Sequence, residues 1–441
     1  MIFMLDQFDP FIRPIRPIFT SSALGIDTTK PVALYFTRKL DPNLRVWVSI
    51  VSYLLLFHQN KDPNSLTNMS DVPPVIVEIL THLPVRSLFR FRSVSKSWKD
   101  LIDSPYFINL HLNQSKKKEK ICTLLEPKNH STSLCLDWSS DSDKLVIPSN
   151  NYVAFDQIIG SCNGLLFLSK GLNHRDILLW NPSTRRHRFI QTPPIGYRPD
   201  VGYVFTTDAM GYDHENDDYK IVELSHYCEP NSNVISSNIS VYSTKLNSWQ
   251  LLLQDFPYRI CEHEICEQRR WRGRMVSCSG SISHWVFIGG CINWVATQDP
   301  SQDTDYLIVS FDIARHNIEL VEQPKYSSRY MAVDLGKLDE CLCVVGYHET
   351  NCATVDVWVM GTYRVIESWK KLVTVTMPDV RSVRPCVRPL TYLKNGKELM
   401  FEVGHKLLVR YDLENETKTI IPNGLSGFYA IRCVYHESLL I

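Results

Sequence analysis

The stretch EILTHLPVRSLFRFRSVSKSWKDLI, from Glu78 to Ile102, has the pattern of short amphipathic helices, whereas almost everything after residue 120 has the pattern of strands and turns. Pro84 ends the first helix, because its ring clashes with a further helical turn. The apolar residues before it recur at helical spacing on one stripe: Val75, Ile76, Ile79, Leu80 and Leu83. We therefore ask what these helices bury their apolar faces against.

Two more short helices follow Pro84 and complete a small helical module. The second carries Leu88 and Phe91, and the third carries Trp98 and Ile102 at helical spacing. A unit this small buries only about 60% of the surface of its unfolded chain, so apolar surface is left over. Either a partner protein or the following domain covers that surface, and the helical pattern leaves both alternatives open.

The helical module resembles the F-box, over about 45 residues with order and spacing intact. The residues that carry the resemblance are Val72-Pro73, Glu78-Ile79-Leu80, Leu83-Pro84, Ser87-Leu88, Arg90, Val94-Ser95 and Lys96-Ser97-Trp98. Val72 is a departure, since leucine is commoner before the first proline. The resemblance implies that the helices bind a Skp-type adaptor and, through it, a cullin. The residues it implies for the adaptor interface and the small core behind it are Pro73, Ile79, Leu80, Leu83, Pro84, Leu88 and Trp98.

The β-rich remainder contains five similar units, each with an apolar strand followed by a second strand that ends in an aromatic residue and a polar turn. The aromatic residues are Trp180, Tyr242, Phe311, Trp358 and Tyr411. Their spacing fits the blades of a β-propeller, in which one four-stranded sheet cannot bury both faces alone. The segments KICTLL and SLCLDW, together with the terminal GFYAIRCVYHESLL, are expected to share a further blade that joins the chain ends. The prediction is six blades.

The units also resemble the F-box-associated domain of plant F-box proteins, which is akin to kelch-type propellers. DQIIGSCNGLLFL, LLWNPSTRR and GYDHENDDYKIVEL carry this resemblance, and the region from Cys261 to Trp294 departs from it by being longer and more basic. The predicted fold is a small all-α, three-helix F-box followed by a large all-β, kelch-like propeller. The domains are a poorly organised extension at 1–68, an F-box at 69–113, a basic linker at 114–120 and a propeller-like domain at 121–441.

Composition narrows the classes of partner. Lys and Arg total 47, as do Asp and Glu, so no overall positive charge favours nucleic acid or an anionic membrane. The apolar run from Val46 to Phe57 is shorter than the roughly 20 residues that span a bilayer. The 13 cysteines lack any C-x-x-C pair, a usage typical of reduced thiols in the cytoplasm or nucleus. We expect protein partners, no nucleic acid and no membrane.

Three segments contain residue types that are capable of chemistry. GSCNG, Gly160 to Gly164, matches a nucleophile elbow, but a strand rather than a helix follows it, which favours a hairpin turn. Cys261, His263 and Cys266 hold soft metal ligands at a spacing that fits no zinc motif. No catalytic set, metal or cofactor is predicted. The candidates for target binding form a basic cluster that includes one aromatic residue: Arg269, Arg270, Trp271 and Arg272.

The function that the two resemblances imply is that of a substrate receptor in an SCF-type ubiquitin ligase. The F-box would hold the adaptor, and the loops of one propeller face would hold an unidentified protein target, so that other subunits transfer ubiquitin. Two alternatives stay open. One is a propeller enzyme or metal-site protein whose helices are only a cap, and the other is an F-box scaffold that acts outside any ligase.

Overall fold

The structure is a computed structural model, and the residues it describes fall into two compact units. The described ranges are 74–93, 96–117, 120–125, 133–135, 144–146, 157–169, 176–191, 203–228, 235–254, 256–260, 285–297, 306–326, 330–351, 353–377, 387–393, 396–404, 407–421 and 432–440. One unit holds the described residues up to Leu83 together with Phe91–Ile102. The other holds Pro84–Arg90 and the described residues from Asp103 onward. The expected extension at 1–68 lies outside the described residues.

Among the described residues, four helices precede the strands. They are α1 (Pro74–Thr81), α2 (Val85–Phe91), α3 (Lys96–Ile102) and α4 (Pro105–Ser115). The carbonyl of Pro84 accepts hydrogen bonds from the amides of Ser87 at 2.9 Å and Leu88 at 3.2 Å, which opens α2. Ser104 caps α4 by accepting from the amide of Phe107 at 3.2 Å, with Pro105 at the first helical position.

The rest of the described chain is almost entirely β-strand, with one 3-10 turn at Ile366–Ser368. The strands are β1 (Lys120–Leu125), β2 (Ser133–Cys135), β3 (Lys144–Val146), β4 (Gln157–Cys162), β5 (Leu165–Ser169), β6 (Asp176–Asn181), β7 (Arg186–Gln191), β8 (Tyr203–Asp213), β9 (Asp218–Cys228), β10 (Ile235–Ser243), β11 (Ser248–Gln254), β12 (Arg259–Ile260), β13 (Trp285–Ile288), β14 (Cys291–Thr297), β15 (Leu307–Asp312), β16 (Ile318–Val321), β17 (Tyr330–Leu338), β18 (Cys341–His348), β19 (Thr354–Met360), β20 (Trp369–Thr376), β21 (Val387–Leu393), β22 (Glu398–Val403), β23 (Leu407–Asp412), β24 (Thr417–Ile421) and β25 (Arg432–Tyr435).

These strands form the antiparallel sheets of a β-propeller. Five blades consist of strands that are consecutive in the chain: β4 to β7, β8 to β11, β12 to β16, β17 to β20 and β21 to β24. A remaining sheet has the order β25-β1-β2-β3. In that sheet Ile121 lies opposite Val434 and Cys122 opposite Cys433, so the expected pairing of KICTLL with the C-terminal segment is confirmed. The prediction of six blades is therefore wrong: the structure has five blades, and the remaining sheet is assembled from the chain ends.

The first strands of successive sheets contact one another around a closed circuit. β4 contacts β8, β8 contacts β13, β13 contacts β17, β17 contacts β21, β21 contacts β25, and β25 contacts β4. Several of the second strands, namely β5, β18 and β22, are almost completely buried. In the blade of β4 to β7, for example, every residue of β5 is buried. Layers of such strands build the core between neighbouring blades, as expected for sheets that are buried on both faces.

A repeated turn explains the aromatic periodicity in the sequence. In the turn after Trp180, the side chain of Asn181 accepts from the amides of Ser183 at 2.9 Å and Thr184 at 3.3 Å. Arg185, four residues after Asn181, has a φ of 59°. The turns opened by Asp213, Ser243, Asp312 and Asp412 repeat the positive φ four residues later, at Asp217, Asn247, His316 and Glu416. Short polar side chains stabilise this turn by bonding to their own backbone.

Trp358 is the exception among the five aromatic residues that the sequence singled out. The other four directly precede the residue that opens the turn, whereas the turn in this blade begins two residues later, at Met360. The loop is longer and contains the 3-10 turn. Its Tyr363 hydroxyl donates to Asn293 at 2.8 Å, which ties this loop to the preceding blade. The spacing of the five aromatic residues thus located the hairpin turn in each of these blades, but it misplaced the start of the turn after Trp358.

Asp208 and Glu223 lie directly opposite each other on β8 and β9. Burial, and for Asp208 also the neighbouring Glu223, raises the pKa of both carboxyl groups. Oδ1 of Asp208 is solvent-inaccessible and has no hydrogen-bond partner among the described residues. The folded protein therefore retains a proton that the unfolded chain releases near pH 4.

We predict that stability falls as the pH rises above about 4, until the pair has ionised in the folded protein as well. Asp208→Asn should flatten this slope by removing the ionisation and the like-charge repulsion. Urea unfolding midpoints measured at several pH values between about 5 and 8 test this. Glu414→Gln, which alters a carboxylate on the surface, is the control and should keep the wild-type slope. An Asp208→Asn slope equal to that of wild type would contradict the prediction.

Candidate functional site

The residues proposed for adaptor binding divide into buried and accessible groups. Leu80 and Leu88 are completely buried, and Trp98 is 7% exposed. The rings of Trp98 and Phe91 lie 5.4 Å apart, centroid to centroid, in a tilted arrangement. Leu80, Leu88 and Trp98 therefore build cores within this chain, and their substitution would affect folding before it affected a partner.

Ile79, Leu83 and Pro84 remain at least partly accessible. Ile79 and Leu83 are half-buried and Pro84 is exposed. Ile79 and Leu83 are four residues apart, and the amide of Leu83 donates to the carbonyl of Leu80 at 3.1 Å, which extends the last turn of α1. Spacing of this kind places two side chains on one face of a helix. These three are the apolar groups of the predicted set that the structure leaves available to a partner.

The remaining predicted residues lie outside the described part of the chain. These are Pro73, the basic cluster of Arg269, Arg270, Trp271 and Arg272, and the possible metal ligands Cys261, His263 and Cys266. The described strands on either side of the basic cluster are β12 and β13, and both pair with β14. Among the described residues, no group of three or more His, Cys, Asp or Glu side chains is arranged to hold a metal ion.

GSCNG is a hairpin turn, as the sequence predicts. Cys162 ends β4, and Asn163 and Gly164 have φ values of 50° and 81° before β5 begins. Burial raises the pKa of the Cys162 thiol to about 12, so the thiolate is absent at neutral pH. A Cβ on Gly164 would lie 2.5 Å from the carbonyl oxygen of His436, so the C-terminal segment packs tightly against this turn. The arrangement is structural and lacks an activated nucleophile.

Sequence reasoning missed a residue that fixes one F-box helix to the propeller. A carboxylate oxygen of Glu437 accepts a hydrogen bond from the amide of Val85, the first residue of α2, at 3.3 Å. Asn181 also binds this C-terminal segment, because its side-chain amide donates to the carbonyl oxygens of Ser438 at 3.1 Å and Leu440 at 2.7 Å. No local pattern signals contacts between residues 352 positions apart.

Comparison with known proteins agrees with this architecture. The sequence matches the F-box domain family over residues 69–110. It matches the F-box-associated beta propeller domain family over residues 115–437. The two matches and the fold define a protein with a helical F-box and a β-propeller. The chain belongs to the F-box proteins that carry an F-box-associated propeller domain.

Individual relatives match the chain along most of their length. F-box protein CPR1 of Arabidopsis thaliana is 32% identical over 372 residues, covering 79% of this chain and 83% of that protein. F-box/kelch-repeat protein At3g23880 of Arabidopsis thaliana is 26% identical, covering 79% of this chain and 90% of that protein. Among solved structures, an oligogalacturonate lyase in complex with manganese aligns with a TM-score of 0.37 at 10% identity, covering 66% of this chain and 69% of the lyase. That similarity is too low to carry an argument about function.

Proposed function

We propose that this protein is the substrate-recognition subunit of an SCF-type cullin ubiquitin ligase. The F-box binds a Skp-type adaptor and through it a cullin, and the propeller recruits a protein target for ubiquitination and proteasomal degradation. The observation that carries the proposal is the accessible apolar group of Ile79, Leu83 and Pro84 on a family-matched F-box. Apolar side chains that are accessible together on a protein surface can mark an interaction site.

A contact of α2 with the C-terminal segment supports this role. Ubiquitin transfer by other subunits requires the target to be held near a charged conjugating enzyme, and a fixed separation raises the effective concentration of target lysines. The hydrogen bond between Glu437 and Val85 joins α2 to the segment that follows β25. In this proposal the chain contributes proximity and no catalytic group of its own.

We also propose that the sheet β25-β1-β2-β3 closes the propeller by joining its first and last blades. Its strand β25 contacts both β21 and β4, the first strands of the last and the first continuous blades. Closing the circuit with the two chain ends removes the exposed edges that an open array of blades would have. The closed ring then gives the target-binding loops a rigid base.

We propose a cytoplasmic or nuclear location for this activity. Five cysteines are free thiols, namely Cys162, Cys291, Cys341, Cys343 and Cys433, and of these Cys162, Cys291 and Cys343 are buried. Free thiols of this kind are typical of reducing compartments. No helix among the described residues is long and apolar enough to cross a membrane.

The basic cluster at Arg269, Arg270, Trp271 and Arg272 is our proposed contact for the target. An arginine guanidinium beside an aromatic ring can bind carboxylates and stack on ring systems. Its matched comparison is Arg185 and Arg186, a basic pair on an exposed turn of the blade β4 to β7. Substitutions in the basic cluster and in the control pair therefore test target binding without altering the adaptor surface.

Quantitative capture from plant cells under proteasome inhibition tests the function. The wild-type chain is expected to retain the adaptor, the cullin and a set of targets that accumulates with inhibitor. Arg269→Ala/Arg270→Ala should keep the adaptor and lose those targets, while Arg185→Ala/Arg186→Ala should keep both. A wild-type chain that captures neither adaptor nor cullin would refute the ligase role and favour the scaffold or enzyme alternatives. If the Arg269→Ala/Arg270→Ala variant retains every target, the proposed target contact is refuted and the ligase role is unaffected.

A further inference from the structure

Two cysteines occupy opposite positions in the strand ladder that joins the chain ends. Cys122 of β1 lies directly opposite Cys433 of β25. Residues that are directly opposite in an antiparallel pair have Cα atoms about 4.5–5.5 Å apart and lie on the same face of the sheet. A disulfide joins cysteines whose Cα atoms are about 4.4–6.8 Å apart. The register of this ladder therefore places the two cysteines within the range of a disulfide bond without any movement of the strands.

This pairing distinguishes Cys433 from the other free thiols of the described residues. Those thiols have residues of other types opposite them in their ladders: Leu165 opposite Cys162, Asp312 opposite Cys291, Leu338 opposite Cys341, and Val359 opposite Cys343. Within the described ladders, only Cys122 and Cys433 form a pair of opposite cysteines.

Cys433 is also accessible to a small oxidant. It is only partly buried, and it lies on the wall of a cavity of about 430 Å³ together with Lys116, Trp285 and His436. Residues of β4, β13, β17 and β21 complete the walls, so the cavity lies in the central channel. A molecule little larger than water, which takes up about 30 Å³ in the liquid, has ample room there.

The fully buried thiols are poor competitors for such an oxidant. Burial raises the pKa of the Cys162 thiol to about 12, and it also raises the pKa of the Cys343 thiol. Both groups are therefore protonated at neutral pH, whereas the thiolate is the form that reacts.

A bond at this position would act on the closure of the propeller. Tyr435, two residues after Cys433, is buried against Leu166 and Trp180 of the first blade, and Cys433 packs against the same cluster. A disulfide from β25 to β1 would close a loop of roughly 310 residues, and cross-links that close long loops restrict the unfolded chain most. The bond would therefore stabilise the sheet that joins the two chain ends.

We infer that Cys122 and Cys433 form a reversible disulfide when the protein meets hydrogen peroxide, and that this bond stabilises the closed propeller. One thiolate attacks a peroxide oxygen, the O–O bond breaks, and a sulfenic acid and one water form. The second thiolate attacks the sulfenic sulfur, the S–S bond forms, and the S–O bond breaks to release a second water. Two thiols thus lose two electrons and two protons, and the peroxide is reduced to two molecules of water.

Such a bond fits a protein whose thiols are otherwise reduced. Disulfides in reducing compartments are usually transient and respond to oxidants, and thiol exchange reverses them. The inference goes beyond the proposed ligase role, because it concerns the closure of the propeller and needs neither adaptor nor target.

Peptide mapping of the purified full chain tests the inference. The chain is treated with hydrogen peroxide, the remaining thiols are alkylated, and the digest is analysed by mass spectrometry without reduction. A linked pair of peptides containing Cys122 and Cys433 should appear, lighter than the two separate peptides by two hydrogen atoms, and dithiothreitol should separate it. Absence of this pair, or a bond that joins two chains instead of two strands of one chain, would overturn the inference.

Thermal unfolding measures the effect of the bond. The oxidised wild type should unfold roughly 5 °C or more above the reduced wild type. Cys122→Ser and Cys433→Ser should each abolish this increase, whereas Cys341→Ser, which changes another partly buried free thiol, should keep it. A linked wild type that unfolds no higher than the reduced chain, or a full increase in either of the first two variants, would contradict the inference. Peptide mapping needs only the wild-type chain, so the test does not depend on the folding of any variant.

Discussion

Replacing Leu83 by aspartate is expected to abolish co-purification of the Skp-type adaptor while leaving the chain folded. Leu83 is only half-buried in the free chain, so the charge remains partly hydrated before binding. Losing the leucine contacts would weaken binding by roughly 2 kcal/mol. Transferring the carboxylate into an apolar interface would cost further binding free energy, because the charge loses its hydration. We expect affinity to fall by roughly 100-fold or more, measured by calorimetry with purified adaptor.

The matched control is the same substitution on another accessible leucine. Leu246 is 77% exposed on a propeller turn, and Leu246→Asp should bind the adaptor like wild type. Leu80→Asp is unsuitable, because Leu80 is completely buried and the charge would destabilise the fold itself. Wild-type affinity for Leu83→Asp would show that this face does not bind the adaptor.

Replacing Tyr435 by alanine is expected to destabilise the propeller by about 3–5 kcal/mol, as for other large core side chains. Tyr435 is completely buried on β25 and packs with Leu166, Leu168 and Trp180 of the blade β4 to β7. Its hydroxyl also bonds to the hydroxyl of Ser183. The ring therefore holds the sheet that joins the chain ends against its neighbour. Urea unfolding of the full chain measures the loss.

Tyr435→Phe separates packing from hydrogen bonding at the same position. It keeps the ring and removes one hydroxyl, so its cost should be about 1 kcal/mol. If Tyr435→Ala lowers the free energy of unfolding by no more than Tyr435→Phe does, the Tyr435 ring does not hold the chain-end sheet against the blade β4 to β7. Because Glu437 follows two residues later and binds Val85, we also expect the alanine variant to loosen α2.

Much of the fold could be predicted because its signals are local. The Pro84 stop and the apolar stripe of α1 act within a few residues, and they locate the F-box helices. The turns are equally local, since a residue such as Asn181 bonds to the amides of Ser183 and Thr184. Such contacts close small loops at little entropic cost, so a short stretch of sequence specifies them. The error in the blade count has the converse origin, because the sheet at the chain ends lacks the local repeat that marks the five blades.

Within the candidate sites, the sequence determined which residue types were present but not which of them were available. Leu80 and Leu83 belong to the same stripe, yet packing buries the first completely and leaves the second half-accessible. Burial depends on neighbours from distant parts of the chain, which spacing alone does not reveal.

The sequence by itself determined that this chain carries F-box helices and repeated β-hairpins, because periodicity, prolines and turn residues act over a few positions. Tertiary structure alone decided that Glu437 binds Val85, that Asp208 opposes Glu223, and that Trp285 and His436 line one cavity with Lys116. These groups are far apart in the chain and meet only when strands pair in register and the blades close on one another. Their chemistry depends on burial and mutual proximity, which arise only in the folded propeller.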